Sequence, residues 1–107
     1  MGVTGMAEAR IEDLEALYKE LDRSMNDTDA MITQVDAAFN TARQEWQSKG
    51  AEQFDSDWNG TFKPTLIKLT QTYAAAGSDV AYQHNKFAEA AKEADLHPVL
   101  PPLNSPR

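Results

Sequence analysis

Residues 42–58 read ARQEWQSKGAEQFDSDW and separate two long amphipathic patterns. Within this stretch Trp46, Ser48 and Gly50 form a turn motif, because Ser is a favoured first cap of a new helix and Gly suits a helix stop. So short a link makes the two helices that it joins antiparallel neighbours. The sequence therefore predicts a helix-turn-helix hairpin whose turn lies at about 46–50.

The pattern before the turn is a heptad seam, in which apolar or small residues recur in alternating steps of three and four. It predicts a first helix over about 6–45. Further apolar residues at Leu17, Met31 and Ala38 widen the stripe beyond a single helix contact. The seam positions are Ile11, Leu14, Tyr18, Leu21, Met25, Thr28, Ile32, Val35, Phe39, Ala42 and Trp46.

A second stripe follows the turn and predicts a second helix over about 51–94. Its positions are Phe54, Trp58, Phe62, Leu66, Leu69, Tyr73, Ala76, Val80, His84, Phe87 and Ala91. Pro64 lies inside this stripe, where it removes a backbone hydrogen bond and crowds the carbonyl of Gly60, so we expect a kink at 60–64. The alternative places the turn at 58–60, with Pro64 in the first turn of the second helix.

The fold class predicted from these patterns is all-α, with residues 1–95 as the hairpin. Residues 96–107 hold most of the prolines and are expected to form a tail that is flexible or polyproline-like. Both stripes are wider than one hairpin contact. We therefore expect the hairpin to pair with a second hairpin in a four-helix bundle, and we expect Phe39, Phe54, Trp58 and Phe62 to form an aromatic interface.

Composition limits the function classes. The net charge of −7, from 17 acidic and 10 basic residues scattered along the chain, argues against nucleic-acid binding and disfavours an anionic membrane surface. No cysteine nucleophile, glycine-rich phosphate loop or histidine pair at metal spacing is found, so we predict no enzyme, no cofactor and no metal site. His84 is interpreted as a helix residue and His97 as a loop residue.

The residues around the turn carry a resemblance to a known family. Trp46, Phe54 and Trp58, spaced between two long helices, resemble the WXG family of small type VII secretion substrates, and the likeness extends to about residue 92. In that family a Trp-X-Gly turn is followed by an aromatic residue eight positions on. Here the Gly of the turn is delayed to Gly50, and a literal Trp-X-Gly occurs at 58–60.

The resemblance implies a secreted effector or co-secreted dimer partner, exported to the medium or the cell surface without a signal peptide. Its implied partners are another WXG-type hairpin, with a heterodimer preferred and a homodimer open, and the secretion ATPase. Tyr82 stands where the family carries its secretion signal, but Lys86 replaces the acidic residue, so the signal is degenerate. The alternatives are a membrane-active or pore-forming component of the cell envelope, and a non-secreted coiled-coil adaptor.

Overall fold

A computed structural model describes the backbone of residues 2–107 and the side chains from Arg10 onward. The elements are α1 (Gly2–Ala42), α2 (Lys49–Asp57), a π-helical turn (Trp58–Phe62) and α3 (Lys63–Ala90). The last three run on as one helix of 42 residues, here called the second arm, and α1 is the first arm. No strand occurs in residues 2–107, so the prediction of an all-helical chain with two helices is confirmed.

The two arms are antiparallel and form a rod. His84 Nε2 lies 2.8 Å from Glu15 Oε2, and Lys63 Nζ lies 2.6 Å from Asp36 Oδ2, so the end of one arm meets the start of the other. The molecule measures 67 × 19 × 19 Å. Its length follows from the heptad pattern, since each helical residue adds about 1.5 Å.

The turn occupies residues 43–48. Ser48 is the N-cap of α2, with extended backbone angles, and its hydroxyl accepts a hydrogen bond from the Ala51 N–H at 3.4 Å. Gly50 instead lies inside the first turn of α2, where an added Cβ would meet Ser48 Oγ at 3.5 Å and Trp46 Cζ2 at 3.7 Å. These are ordinary contacts. The reversal therefore depends on Ser48, and Gly50 does not have the stop role that the sequence interpretation gave it.

Pro64 is accommodated by the π-helical turn, and the chain does not reverse at 58–60. The Lys63 N–H donates to the Trp58 carbonyl five residues back. This wider turn leaves room for a residue that cannot donate a hydrogen bond and whose ring crowds the preceding turn. Because a π turn advances by fewer degrees per residue than an α turn, the buried positions after it shift in register. Phe62 is consequently 58% exposed.

The seam between the arms pairs large residues with small ones. In α1 the buried positions recur every seventh residue, whereas in α3 they are mainly alanine and glycine, which let the two backbones approach. The buried residues are Ile11, Tyr18, Met25, Ile32 and Phe39 in α1, and Thr70, Ala74, Gly77, Ala81, His84 and Ala88 in α3. Apart from the buried Trp58 and His84, the large stripe that predicted the second helix therefore lies beside the seam and is half-buried or exposed.

The end of α3 turns the chain back towards the hairpin. Lys92 has a left-handed backbone, with φ of 58°. The Lys92 N–H donates to the Glu89 carbonyl at 3.0 Å, and the Glu93 N–H donates to the Ala88 carbonyl at 2.9 Å. This is the Schellman arrangement, which satisfies the last carbonyls of a helix and redirects the chain.

The tail, residues 96–107, lies along the hairpin, although the sequence analysis left open a flexible segment. Every third residue from 97 to 103 turns inward, namely His97, Leu100 and Leu103, which is the period of a polyproline II helix. The intervening prolines have no N–H groups to satisfy. The N–H groups of Leu100 and Leu103 donate to Asn85 Oδ1 at 2.9 Å and Ser78 Oγ at 3.0 Å.

Candidate interaction surfaces

The tail covers only one side of the hairpin, called here the tail face. Tyr18 Oη donates to the Pro101 carbonyl at 2.7 Å, and Thr70 Oγ1 lies 2.9 Å from Ser105 Oγ. At the far end Arg107 Nε donates to Asp29 Oδ1 at 2.6 Å. These contacts place the tail along both arms. On α1 this is the side that carries the half-buried acidic residues Glu15, Asp22, Asp29 and Asp36.

The opposite side, called here the open face, is an apolar strip formed by both arms. Helical spacing of 100° per residue puts its residues on the side of the seam away from the tail. They are half-buried or exposed, and Leu17 and Met31 remain 46% and 42% exposed. The open face consists of Leu14, Leu17, Leu21, Met31, Val35 and Ala38 from α1, and Leu66, Leu69, Tyr73, Ala76, Val80 and Phe87 from α3.

A groove marks each end of the open face. One groove, near the end of α3, is formed mainly by Leu14, Leu17 and Phe87. The other lies at the hairpin turn and is almost wholly apolar; it is lined by Val35, Ala38, Phe39, Ala42, Trp46 and Phe54. Apolar side chains therefore recur along the strip from one end of the rod to the other, with Ser24 and Thr28 between them on α1.

The α1 edge of the open face is mainly acidic, whereas the α3 edge carries charges of both signs, since Lys86 lies one heptad beyond Asp79. Along α1 the exposed residues Asp13, Glu20 and Asp27 recur every seventh position and border the strip. The corresponding edge of α3 carries Asp79 and Gln83. A partner that matches this face would place Lys or Arg side chains along the edge that meets α1.

Three of the four residues predicted to form an aromatic interface contact one another at the hairpin turn within the chain. Phe39 and Phe54 have ring centroids 4.8 Å apart at 65°, and Phe54 stacks on Trp58 at 6.2 Å. Trp46 contacts Phe39 edge-on and is 40% exposed, so it is the aromatic residue of this cluster that solvent or a partner can reach. Phe62, the fourth residue of the predicted aromatic interface, lies outside this cluster and is exposed, because the π-helical turn shifts its register.

Trp58 also takes part in a polar contact between the arms. Its Nε1–H donates to Asp36 Oδ1 at 2.8 Å, and Lys63 Nζ bonds the other oxygen of the same carboxylate. The hydrogen bonds from Lys63 and then from Trp58 hold the pKa of Asp36 below its ordinary value, although partial burial opposes them.

Tyr82 and Lys86, the residues of the degenerate secretion signal, lie one helical turn apart on α3. Lys86 Nζ sits 5.4 Å from the centroid of the Tyr82 ring, a cation–π distance. Tyr82 is 57% exposed and borders a cleft with Leu100 and Pro102 of the tail. The pair is accessible, and the tail forms part of its surroundings.

A polar cluster at the start of the tail joins α1, α3 and the tail. Glu15 Oε2 lies 2.8 Å from His84 Nε2 and 2.9 Å from His97 Nδ1. His84 is fully buried, and the His97 side chain is 9% exposed. Burial raises the pKa of Glu15, but the hydrogen bonds to His84 and His97 outweigh it, and the net pKa is lowered. The sequence analysis gave neither histidine a role, because residues 15, 84 and 97 carry no local pattern that connects them.

The tautomer of His84 follows from its neighbours. Asn85 exchanges two hydrogen bonds with Leu100, donating from Nδ2 to the carbonyl at 3.0 Å and accepting the N–H at Oδ1, which fixes the orientation of the amide. His84 Nδ1 lies 2.9 Å from that same Oδ1, an acceptor, so His84 Nδ1 carries a proton. The Nε2 atom of His84 therefore donates to Glu15 when the ring carries both protons, whereas a neutral ring would set a lone pair against the carboxylate.

No family model, curated protein or solved structure matches the chain. No helix in the described part of the chain combines the length and hydrophobicity that a membrane span requires.

Proposed function

We propose that this chain acts by protein–protein interaction, as a type VII secreted helical hairpin that pairs with a second, different hairpin through the open face. The observation that supports this most is the strip of large apolar residues, unpaired within the chain, that runs the length of a rod of 67 Å. An antiparallel hairpin of similar length buries such a strip in a four-helix bundle. Contact, not catalysis, is the activity.

Charge favours a heterodimer over a homodimer. A second copy of this chain would bring another −7 charge and a second acidic row of Asp13, Glu20 and Asp27 beside the strip. Like charges placed side by side across an interface cost affinity. The proposed partner therefore carries a basic edge beside an apolar strip.

Export is proposed on the sequence resemblance around Trp46, Phe54 and Trp58. The exposure of Trp46 at the hairpin turn and of Tyr82 beside the tail is consistent with contact by secretion machinery. Because Lys86 replaces the acidic residue of the family signal, the partner is proposed to supply the intact signal, with the secretion ATPase as its receptor.

The interface is tested by paired variants. Leu69→Glu places a charge in the open face, whereas Ala75→Glu adds the same charge to an exposed position on the far side of α3. Co-expressed with a hairpin protein of the same secretion locus, the wild type and Ala75→Glu should form a 1:1 complex by native mass spectrometry. Leu69→Glu should weaken it about 10-fold or more, as expected for burying an unpaired charge.

The purified chain alone should be a monomer at micromolar concentration. A stable self-dimer that Leu69→Glu disrupts would replace the heterodimer with a homodimer. Fractionation tests export separately: the protein should appear in the culture filtrate, and its retention in the cytosol of a strain with an active type VII system would exclude secretion.

A further inference from the structure

Three side chains from three segments point one donor atom each at a common centre. They are Glu15 from α1, His84 from α3 and His97 from the tail, and their donor atoms all lie within 4.8 Å of one another. We propose that these residues bind one Zn²⁺ ion, which fastens the tail to the hairpin. The inference is independent of the proposed partner, since the cluster involves the tail face and not the open face.

The donor atoms are close to the spacing that zinc needs. Zinc bonds to imidazole nitrogen and carboxylate oxygen are about 2.0–2.2 Å long, so two ligands of a tetrahedral ion lie about 3.4 Å apart. Glu15 Oε2 is now 2.8 Å from His84 Nε2 and 2.9 Å from His97 Nδ1. The two Glu15 contacts need to lengthen by about half an ångström, and the two histidine nitrogens, which lie within 4.8 Å of each other, need to settle near the same spacing.

His84 has a hydrogen-bond acceptor behind it, as histidine ligands of metals usually do, and His97 has a carboxylate nearby. His84 Nδ1 donates to Asn85 Oδ1, which leaves Nε2 with a lone pair directed at the centre when the ring is neutral. His97 Nε2 lies 3.9 Å from Glu93 Oε2, an oxygen that is buried and makes no hydrogen bond with the described residues. This distance is longer than a hydrogen bond, so Glu93 would orient His97 as in a carboxylate–histidine–zinc arrangement once the gap closes by about 1 Å.

The chemistry of the donors favours zinc among divalent ions. Two imidazoles and one carboxylate suit a borderline ion such as Zn²⁺, whereas Mg²⁺ and Ca²⁺ require more oxygen ligands than the cluster offers. The Glu15 side chain is 25% exposed, so the centre is reachable from solvent and water can fill the fourth position. Proton and metal compete for the histidines, so binding weakens as the pH falls.

The proposed ion would couple the tail to both arms. The tail reaches the cluster through His97, and farther along through the hydrogen bonds of Leu100 and Leu103. A single ion at the start of the tail reduces the freedom of the whole segment. Zinc should therefore protect residues 96–107 from proteolysis and raise the thermal midpoint of the chain.

The test uses the full chain with any affinity tag removed. Isothermal titration with ZnCl₂ at pH 7.5 should give one equivalent bound, and CoCl₂ should give the visible absorption of a four-coordinate ion. His97→Gln and Glu15→Gln should each weaken zinc binding by more than about 100-fold, and Glu93→Gln by about 10-fold. The control Glu12→Gln removes an exposed carboxylate from the same helix and should bind as the wild type does.

A folding check keeps the result interpretable. His97→Gln changes a tail residue, so its helical circular dichroism should equal that of the wild type while the zinc-dependent rise in thermal midpoint disappears. Absence of stoichiometric binding by the wild type would overturn the proposal. Binding that is the same in His97→Gln, Glu15→Gln and Glu12→Gln would also overturn it, because the ion would then lie elsewhere.

Discussion

The tail packs against Gly77, where any side chain larger than hydrogen would collide with Leu103. Gly77 lies in the seam side of α3, and a Cβ built there would come within 2.9 Å of Leu103 Cγ and closer still to Leu103 Cδ1. Gly60 is the control for added volume, because a Cβ there meets nothing within 4 Å, although it lies in the π-helical turn and not in a regular α-helix. The pair separates the effect of the tail from the general effect of Gly→Ala in a helix.

The magnitudes follow from two opposing effects. In a helix interior, Gly→Ala stabilises by about 0.5–1 kcal/mol, because alanine loses less backbone entropy on folding. Forcing a methyl group into a filled contact costs about 1–3 kcal/mol. We therefore expect Gly60→Ala to raise the free energy of unfolding by about 0.5–1 kcal/mol and Gly77→Ala to lower it by about 1–2 kcal/mol.

A double-mutant cycle with Leu103→Ala tests the cause. Removing the Leu103 side chain removes the clash, so in that background Gly77→Ala should become stabilising, with a coupling energy of about 1–3 kcal/mol. Urea denaturation followed by circular dichroism measures all four free energies of unfolding. Additive effects of Gly77→Ala and Leu103→Ala would refute the docked position of the tail.

Three further predictions concern the arms. The folded pKa of Asp36 lies below its ordinary 3.8, so its contribution to stability is complete above the unfolded pKa and is lost as the pH falls through the folded pKa. In urea unfolding from pH 7 to pH 3, the free energy of unfolding should therefore fall less in Asp36→Asn than in the wild type. Lys92→Gly should raise the free energy of unfolding by about 1 kcal/mol, because glycine has no Cβ penalty at positive φ, and an unchanged thermal midpoint would contradict this. Ser48→Ala should lower the free energy of unfolding by about 1 kcal/mol in urea, whereas Ser48→Asp, which keeps a capping oxygen, should not.

Much of the fold could be predicted from local patterns. The heptad spacing from Ile11 to Phe39 depends only on the 3.6-residue period of a helix, and it predicts the long first helix and its inner face. Ser48 predicts the start of the second helix for an equally local reason, since its hydroxyl caps a backbone N–H three residues on. These features need no knowledge of where distant residues lie.

The choice of seam in the second arm could not be predicted in the same way. Periodicity favours the large stripe that contains Leu69 and Phe87, yet the smaller stripe around Ala74 and Ala81 faces α1. The π-helical turn contributes to this choice because it changes the register after Trp58. Two stripes on one helix differ in size and width, and only packing against the other arm decides which of them is buried.

The sequence by itself determined the two helices, their turn and the acidic, cysteine-free composition that limits the function. Only the tertiary structure decided the docked tail, the open face and the meeting of Glu15, His84 and His97. The histidine contacts to Glu15 span 69 and 82 positions of the chain. Periodicity and capping depend on residues that are close in sequence. The contacts of Glu15 with His84 and His97 instead require the hairpin to close and the chain to turn back at Lys92.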